Sequence, residues 1–222
     1  MSAGLALADA TLDEIRLALA PAIAEAAAFD GWSDAAVLAA AEGAGVNPDV
    51  AQLAFSGGAM VMIKAWIARI DADMAATLPH QRIGNLPIRE RIRSLVQFRL
   101  DALVGREEAL RRALAVMAMP RNARAALKLG WHSADAMWRL AGDTATDYNH
   151  YTKRMTLGGI YAATLAVFAQ DRSDDHAETR AFLDRRIEDV MRFEKAKGRL
   201  LKPRDEQFSP ARMLGRLRYP AR

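Results

Sequence analysis

The stretch Phe29-Asp30-Gly31-Trp32-Ser33-Asp34-Ala35-Ala36-Val37-Leu38-Ala39-Ala40-Ala41-Glu42-Gly43-Ala44-Gly45-Val46-Asn47-Pro48 sets the fold at the front of the chain. Ser33 precedes an Ala-rich segment with helical spacing that closes near Gly43 and Gly45. Asn47 then stands as an N-cap with Pro48 at the first helical position, so a second helix starts there and ends before Ser56-Gly57-Gly58. Upstream, Thr11-Leu12-Asp13-Glu14 is a capping box, and Leu12, Ile15, Leu19 and Ile23 form one apolar stripe, with Pro21 expected to kink or divide that helix. Three helices joined by tight turns follow from this pattern.

The rest of the chain also reads as helix. β-Branched alternation never persists, and Ala, Leu, Arg and Glu fill long segments with helical spacing. Met62, Trp66, Ile70 and Met74 lie on a long helix running to about Leu78, and Pro79 to Pro87 is a connector. Ile88, Ile92, Leu95, Arg99 and Leu103 open a helix that Gly105 ends, and Glu107 to Met119 form another stopped by Pro120. Two helices flank the loop Gly142 to Thr146. A long one from about Asp174 to Lys197 is expected to turn Leu183, Ile187, Val190 and Met191 inward. The fold class is all-α, in three parts: 1–58, a helix-turn-helix-like unit; 59–200, a helical bundle; and 201–222, a basic tail.

With 222 residues, 51% of them hydrophobic, the chain can bury a substantial core. Charged residues, 26% of the total, interrupt every apolar run before the roughly 18–20 residues a bilayer span requires. There is no cysteine, which excludes disulfides, thiolate nucleophiles and thiolate metal sites. Asp9, Asp13 and Glu14 near the start argue against a secretory signal or transit peptide, and a cytoplasmic bacterial protein is expected. The net charge is +4, but no Lys or Arg occurs between Arg16 and Lys64, whereas ten fall between Arg192 and Arg222.

The order Phe29-x-Gly31-Trp32-Ser33, Ala39-Ala40, Gly45-Val46-Asn47-Pro48 and Leu53-x-Phe55 resembles the DNA-binding unit of TetR-type regulators. Its charge is wrong for DNA. Such units bind by neutralising phosphates with Lys and Arg, and this one offers Glu25, Asp30, Asp34, Glu42 and Asp49 without a base. No nucleic-acid partner is therefore expected.

The segment from Asp135-Ala136-Met137-Trp138-Arg139-Leu140-Ala141-Gly142-Asp143 to Tyr151-Thr152-Lys153-Arg154 resembles the signature of the Coq-nine family, accessory proteins of ubiquinone biosynthesis. Phe182-Leu183-Asp184-Arg185-Arg186-Ile187-Glu188-Asp189-Val190-Met191 does so too, as do Gly31-Trp32, Arg89-x-Arg91-Ile92 and Pro120-x-Asn122. The resemblance implies a TetR-like homodimer without DNA binding, a cavity for an isoprenoid quinone precursor, and docking to the di-iron quinone hydroxylase of the pathway. It implies that Trp138 works in docking, with Asp135, Met137, Arg139 and Asp143 around it. On spacing alone, Trp138 reads as a core residue beside an ordinary Asp135–Arg139 pair, and it is the resemblance that reverses this. Asp143, Thr146 and Asp147 read mainly as caps, while Lys153 and Arg154, disfavoured by the dipole of a helix start, point to an acidic partner or an internal salt bridge.

The helix from Thr152 to Gln170 mixes Leu157, Tyr161, Leu165 and Phe168 with Gly158, Gly159, Ala162 and Ala163, a pattern compatible with close packing or with an open lumen. Given the resemblance, the lipid site is expected to be lined by Met62, Trp66, Phe98, Leu103, Met117, Leu157, Tyr161 and Leu165. Catalytic and metal sites are not expected. A helical di-iron site needs Glu-x-x-His twice, and only Asp147-x-x-His150 approximates one; the other histidines are His80, His132 and His176. His150 reads as a surface residue.

The tail from Phe208 to Arg218 has Ser209 and Pro210 placed to start a short helix. Phe208, Met213, Leu214 and Leu217 lie on one side, flanked by Arg212, Arg216 and Arg218. This is a pattern for contact with an anionic membrane face, against the alternative of a disordered basic tail. The combined expectation is a non-catalytic, lipid-binding accessory protein, peripheral on the inner membrane and without a bound cofactor other than its isoprenoid lipid. A TetR-type ligand-responsive repressor and a metal-dependent helical enzyme stand as alternatives.

Overall fold

In the computed structural model, residues 9–146 and 148–193 are described in full and residues 194–200 by their backbone. They are helical, with no strand among the described residues. Helix α1 (Leu12–Asp30) starts at the capping box: Glu14 N–H donates to the Thr11 hydroxyl at 3.3 Å and Thr11 N–H to the Glu14 carboxylate at 2.8 Å. Of the two outcomes expected at Pro21, a kink or a division, division does not occur: the helix runs through it. Burial of Ile15, Leu19, Ile23 and Ala27 on one face outweighs the single backbone bond a proline removes.

Helix α2 (Asp34–Ala44) ends at Gly45, whose φ of +67° is the left-handed cap that glycine adopts without strain. Helix α3 (Pro48–Ala54) is capped by the Asn47 side chain, which accepts from Asp49 N–H at 2.8 Å. Helix α4 (Ala59–Thr77) runs through the core and buries Met62, Ile63, Trp66, Ile70 and Met74. It packs against α1, α6 (Ile88–Asp101), α7 (Glu107–Met117) and α8 (Ala123–Leu140). The connector between α4 and α6 contains one helical turn, α5 (His80–Ile83). A 3-10 turn at Pro120–Asn122 leads into α8, and α9 (Tyr148–Phe168) packs on α8 and α6.

The front three helices are anchored to α7. Trp32 donates its indole N–H to Ala109 O at 3.1 Å, Arg112 donates to Phe29 O at 3.0 Å, and Arg106 pairs with Glu25 at 2.7 Å. The residues up to Asp184 form one compact unit that holds this three-helix part and the larger bundle together, and the residues from Arg185 form a second. Helix α10 (Ala177–Leu200) starts after a 3-10 turn at Asp174–His176. Its start is set by Asp171, whose carboxylate accepts from the N–H and hydroxyl of both Ser173 and Thr179 at 2.6–2.9 Å. Burial acts to raise the Asp171 pKa, but these four bonds hold the carboxyl far below the usual range. Of the residues expected to face inward on α10, Leu183 is buried, Ile187 and Val190 are half-buried, and Met191 is exposed.

Candidate functional site: an apolar cavity beside a charged helix joint

Between α4, α6, α7, α8 and α9 lies a cavity of about 700 Å³, within the roughly 300–1,000 Å³ typical of small-molecule sites. Helical periodicity builds it. Trp66 and Ile70 come from the inner stripe of α4, Leu110 and Met117 from α7, and Tyr161 and Leu165 from α9. Space is kept open by the small residues Gly130 on α8 and Gly158, Gly159 and Ala162 on α9. A Cβ built at Gly130 or Gly159 would meet nothing within 4 Å. Leu127 and Met155 belong to the wall yet are 76% and 68% exposed, which puts the mouth between α8 and α9.

Of the eight side chains expected to line a lipid site, Trp66, Leu103, Met117, Tyr161 and Leu165 do line this cavity. Met62 and Leu157 do not; both are buried in helix packing outside its wall. Phe98 is half-buried and points elsewhere, because it is one residue, or about 100° of helix, from the wall residue Arg99.

Arg99 is the main residue the sequence did not flag as part of a site. It is 1% exposed, is ion-paired with Asp71, donates to the Ser133 hydroxyl at 3.0 Å, and lies over the Tyr161 ring at 4.9 Å. Its Nε has no partner. Burial pushes the Asp71 carboxyl above its ordinary value, and Arg99 offsets this only in part. A signal existed in the sequence. Arg99 occupies a position on the apolar stripe Ile92, Leu95, Leu103, where a charge is expensive unless paired.

At the joint of α8 and α9, Arg154 is 2% exposed and pairs with Asp135 at 2.6 Å and Asp143 at 3.0 Å. Lys153 pairs with Asp143 at 2.7 Å, and Arg139 with Asp135 at 2.8 Å. Asp143 is therefore a clamp across the loop rather than a simple cap. Burial acts to raise its pKa, but the bonds from Lys153 and Arg154 leave it below the usual carboxylate range. The two cations at the helix start find their counter-charges inside the chain. Asp147 lies outside the described residues.

Trp138 is half-buried beside this network, with its indole N–H bonded to Lys153 O at 3.0 Å and the Lys153 ammonium 5.3 Å above its ring. Arg139 is open to solvent, whereas Met137 is fully buried and unavailable to a docking partner. The reason is geometric: Met137 is one residue from Trp138 and faces the core. His150 is half-buried rather than on the surface, its Nδ1 2.9 Å from Ala145 O and its ring against Trp131 and Tyr151. Among the described residues no three His, Asp or Glu side chains converge as metal ligands, and no single helix is long and apolar enough to cross a membrane. Phe208, Arg212, Met213, Leu214, Arg216, Leu217 and Arg218 lie outside the described residues. At the front, Asp34, Glu42 and Asp49 are exposed on α2 and α3.

The architecture is that of a TetR-like helical protein. A crystal structure of a TetR transcriptional regulator from Nitrosomonas europaea superposes with a TM-score of 0.62 over 78% of this chain and 96% of that one, at 24% identity. Residues 123–194 match the COQ9 family model, and 72% of the chain is similar to curated COQ9 proteins. The mitochondrial ubiquinone biosynthesis protein COQ9 of Rattus norvegicus is 33% identical over 168 residues, covering 72% of this chain and 54% of its own length. Its Homo sapiens counterpart is 30% identical over 168 residues, covering 72% and 52%. The chain thus spans about half the length of the curated relatives it matches.

Proposed function

We propose that this protein is a non-catalytic accessory protein of ubiquinone biosynthesis that holds a polyprenylated quinone intermediate in its cavity and presents it to the di-iron quinone hydroxylase. The observation that carries the reading is the cavity of about 700 Å³, whose wall is mostly apolar and whose mouth opens between Leu127 and Met155. Its relatives are named as ubiquinone biosynthesis proteins, which supports the pathway. The half-buried Trp138 with the exposed Arg139 beside it offers a docking point on the same helix as part of the cavity wall. Attachment to the inner membrane through the basic tail, and a homodimer formed through α8 and α9, complete the reading.

Mass spectrometry of lipids copurifying with the protein tests it, together with titration by a polyprenylated quinone precursor. A prenylated quinone or phenol in the extract and saturable binding of the precursor are expected. Failure to bind that precursor sinks the reading. The likeness to a TetR regulator favours one rival, a ligand-responsive repressor. The exposed acids at the front weigh against it, since unneutralised carboxylates beside phosphate remove the non-specific affinity that recognition builds on. Sequence-selective retention of genomic fragments in a low-salt gel shift would reverse that preference.

A further inference from the structure

The hydrogen-bonding side chains in the cavity wall are all donors or hydroxyls: Arg99, Ser133, Arg154, Tyr161 and the indoles of Trp66 and Trp131. No carboxylate, amide or imidazole lines it. The counter-charges Asp71, Asp135 and Asp143 stand behind the wall rather than in it. A pocket meant only for hydrocarbon has no use for a buried cation, because an arginine there loses its hydration and must be repaid by contacts.

The two guanidinium groups differ. Arg154 is engaged by two carboxylates and by the His150 carbonyl, which fixes the α8–α9 joint. Arg99 has one carboxylate, Asp71, and the hydroxyls of Ser133 and Tyr161 for its five N–H donors, and its Nε is without a partner. The Tyr161 ring covers one face of the group at 4.9 Å. One end of an otherwise apolar lumen thus carries a fixed positive charge with donor capacity to spare.

We infer that the cavity selects amphiphiles whose compact head bears an oxygen acceptor, and that Arg99, Ser133 and Tyr161 form the subsite that receives this oxygen while the apolar tail runs toward Leu127 and Met155. The inference rests on the cavity being the lipid site proposed above and adds the chemistry of the head. Carboxylate, phenolate and quinone oxygens share that chemistry. Asp71, outside the wall, acts as a positioning residue that balances the charge of Arg99.

The test uses three probes with one tail, octylbenzene, 4-octylacetophenone and 4-octylbenzoate, each displacing an environment-sensitive fluorophore from the full chain. The quantity read is the preference for the oxygenated probes over the hydrocarbon, so that differences in tail burial cancel. Wild-type protein is expected to prefer at least one oxygenated probe about ten-fold or more. Preference for the benzoate alone assigns an anionic head, and equal preference for both assigns a neutral carbonyl; either supports the subsite. The double variant Arg99→Met with Asp71→Asn removes the cation without stranding its partner and is expected to abolish the preference while octylbenzene still binds. If that variant does not fold, Ser133→Ala and Tyr161→Phe, which each delete one hydroxyl, should each reduce the preference several-fold. No displacement by any probe, a wild-type protein indifferent to the oxygen, or a preference that survives the loss of Arg99 or of both hydroxyls overturns the inference. Failure of the polyprenylated precursor to bind while the Arg99-dependent preference persists would instead remove the proposed function and leave the subsite standing.

Discussion

Arg154 shows how a single buried side chain can hold a junction. It reaches from α9 to Asp135 on α8 and to Asp143 in the connecting loop, and Lys153 takes the other oxygen of Asp143. Asp143→Asn should therefore destabilise the fold by on the order of 2 kcal/mol, the usual cost of losing hydrogen bonds between charged groups. Because the folded-state pKa of Asp143 is depressed, its contribution is complete above the ordinary aspartate pKa near 4 and fades as pH falls through the lower folded value. Melting temperatures of the two proteins should differ at pH 7 and converge as the pH drops below about 4; a gap independent of pH would refute the ionic role. Trp138 offers a second measurement. Trp138→Lys should weaken association with the proposed hydroxylase partner by about 2 kcal/mol, as expected for an aromatic anchor, and Arg139→Glu should weaken it too. The arginine variant leaves the fold intact, since Arg139 is 74% exposed and bonds only to its helix neighbour Asp135. Normal binding by a folded Arg139→Glu protein, together with unfolding of Trp138→Lys, would make Trp138 a packing residue. At this scale the sequence was partly legible: Lys153 and Arg154 could be seen to need acids, but which acids depends on a loop closing over ten residues, and spacing does not encode that.

Helices α8 and α9 meet over small residues, and this sets both the room in the cavity and its stability. Gly130 lies within α8 with nothing within 4 Å of where its Cβ would stand, so Gly130→Ala should stabilise the protein by up to about 1 kcal/mol through helix propensity alone. A larger side chain there occupies the lumen. Gly130→Leu is expected to keep the melting temperature while cutting copurified lipid several-fold; undiminished lipid would put the binding site elsewhere. Most elements were readable from capping and breaking residues, as at Thr11, Asn47, Gly45 and Pro120, because those signals are local. What escaped was long-range. The sequence displays the backbone cost of Pro21 but not the packing of α1 on α4 that outweighs it, and a glycine pattern serves a lumen and a filled core alike.

Among the described residues, one face of α9 is exposed along its length. Tyr148, Tyr151, Met155, Gly159, Ala162 and Ala166 are exposed along α9 at spacings of three and four, an apolar stripe narrow enough for close helix packing. A second copy packing there would give the proposed homodimer, so Ala166→Arg should yield a folded monomer by sedimentation analysis. A dimer that survives the arginine would place the interface on another face. Met155, Gly159 and Ala162 belong to the cavity wall as well as to this stripe, so the same substitution should speed ligand exchange by uncovering the mouth. The overall class was legible from the order of caps and turns, whereas the stripe became visible only once α8 and α6 had covered the other sides of α9. The aromatic walls carry a further consequence. Of the four tryptophans, Trp66 and Trp131 line the cavity, and Trp32 lies 5.3 Å from Trp66 by ring centroid. The protein therefore contains its own optical gauge of occupancy: a redox-active ring entering the lumen would quench ultraviolet emission from two indoles, and the Trp32–Trp66 couple would shift its near-ultraviolet dichroism, with no label attached.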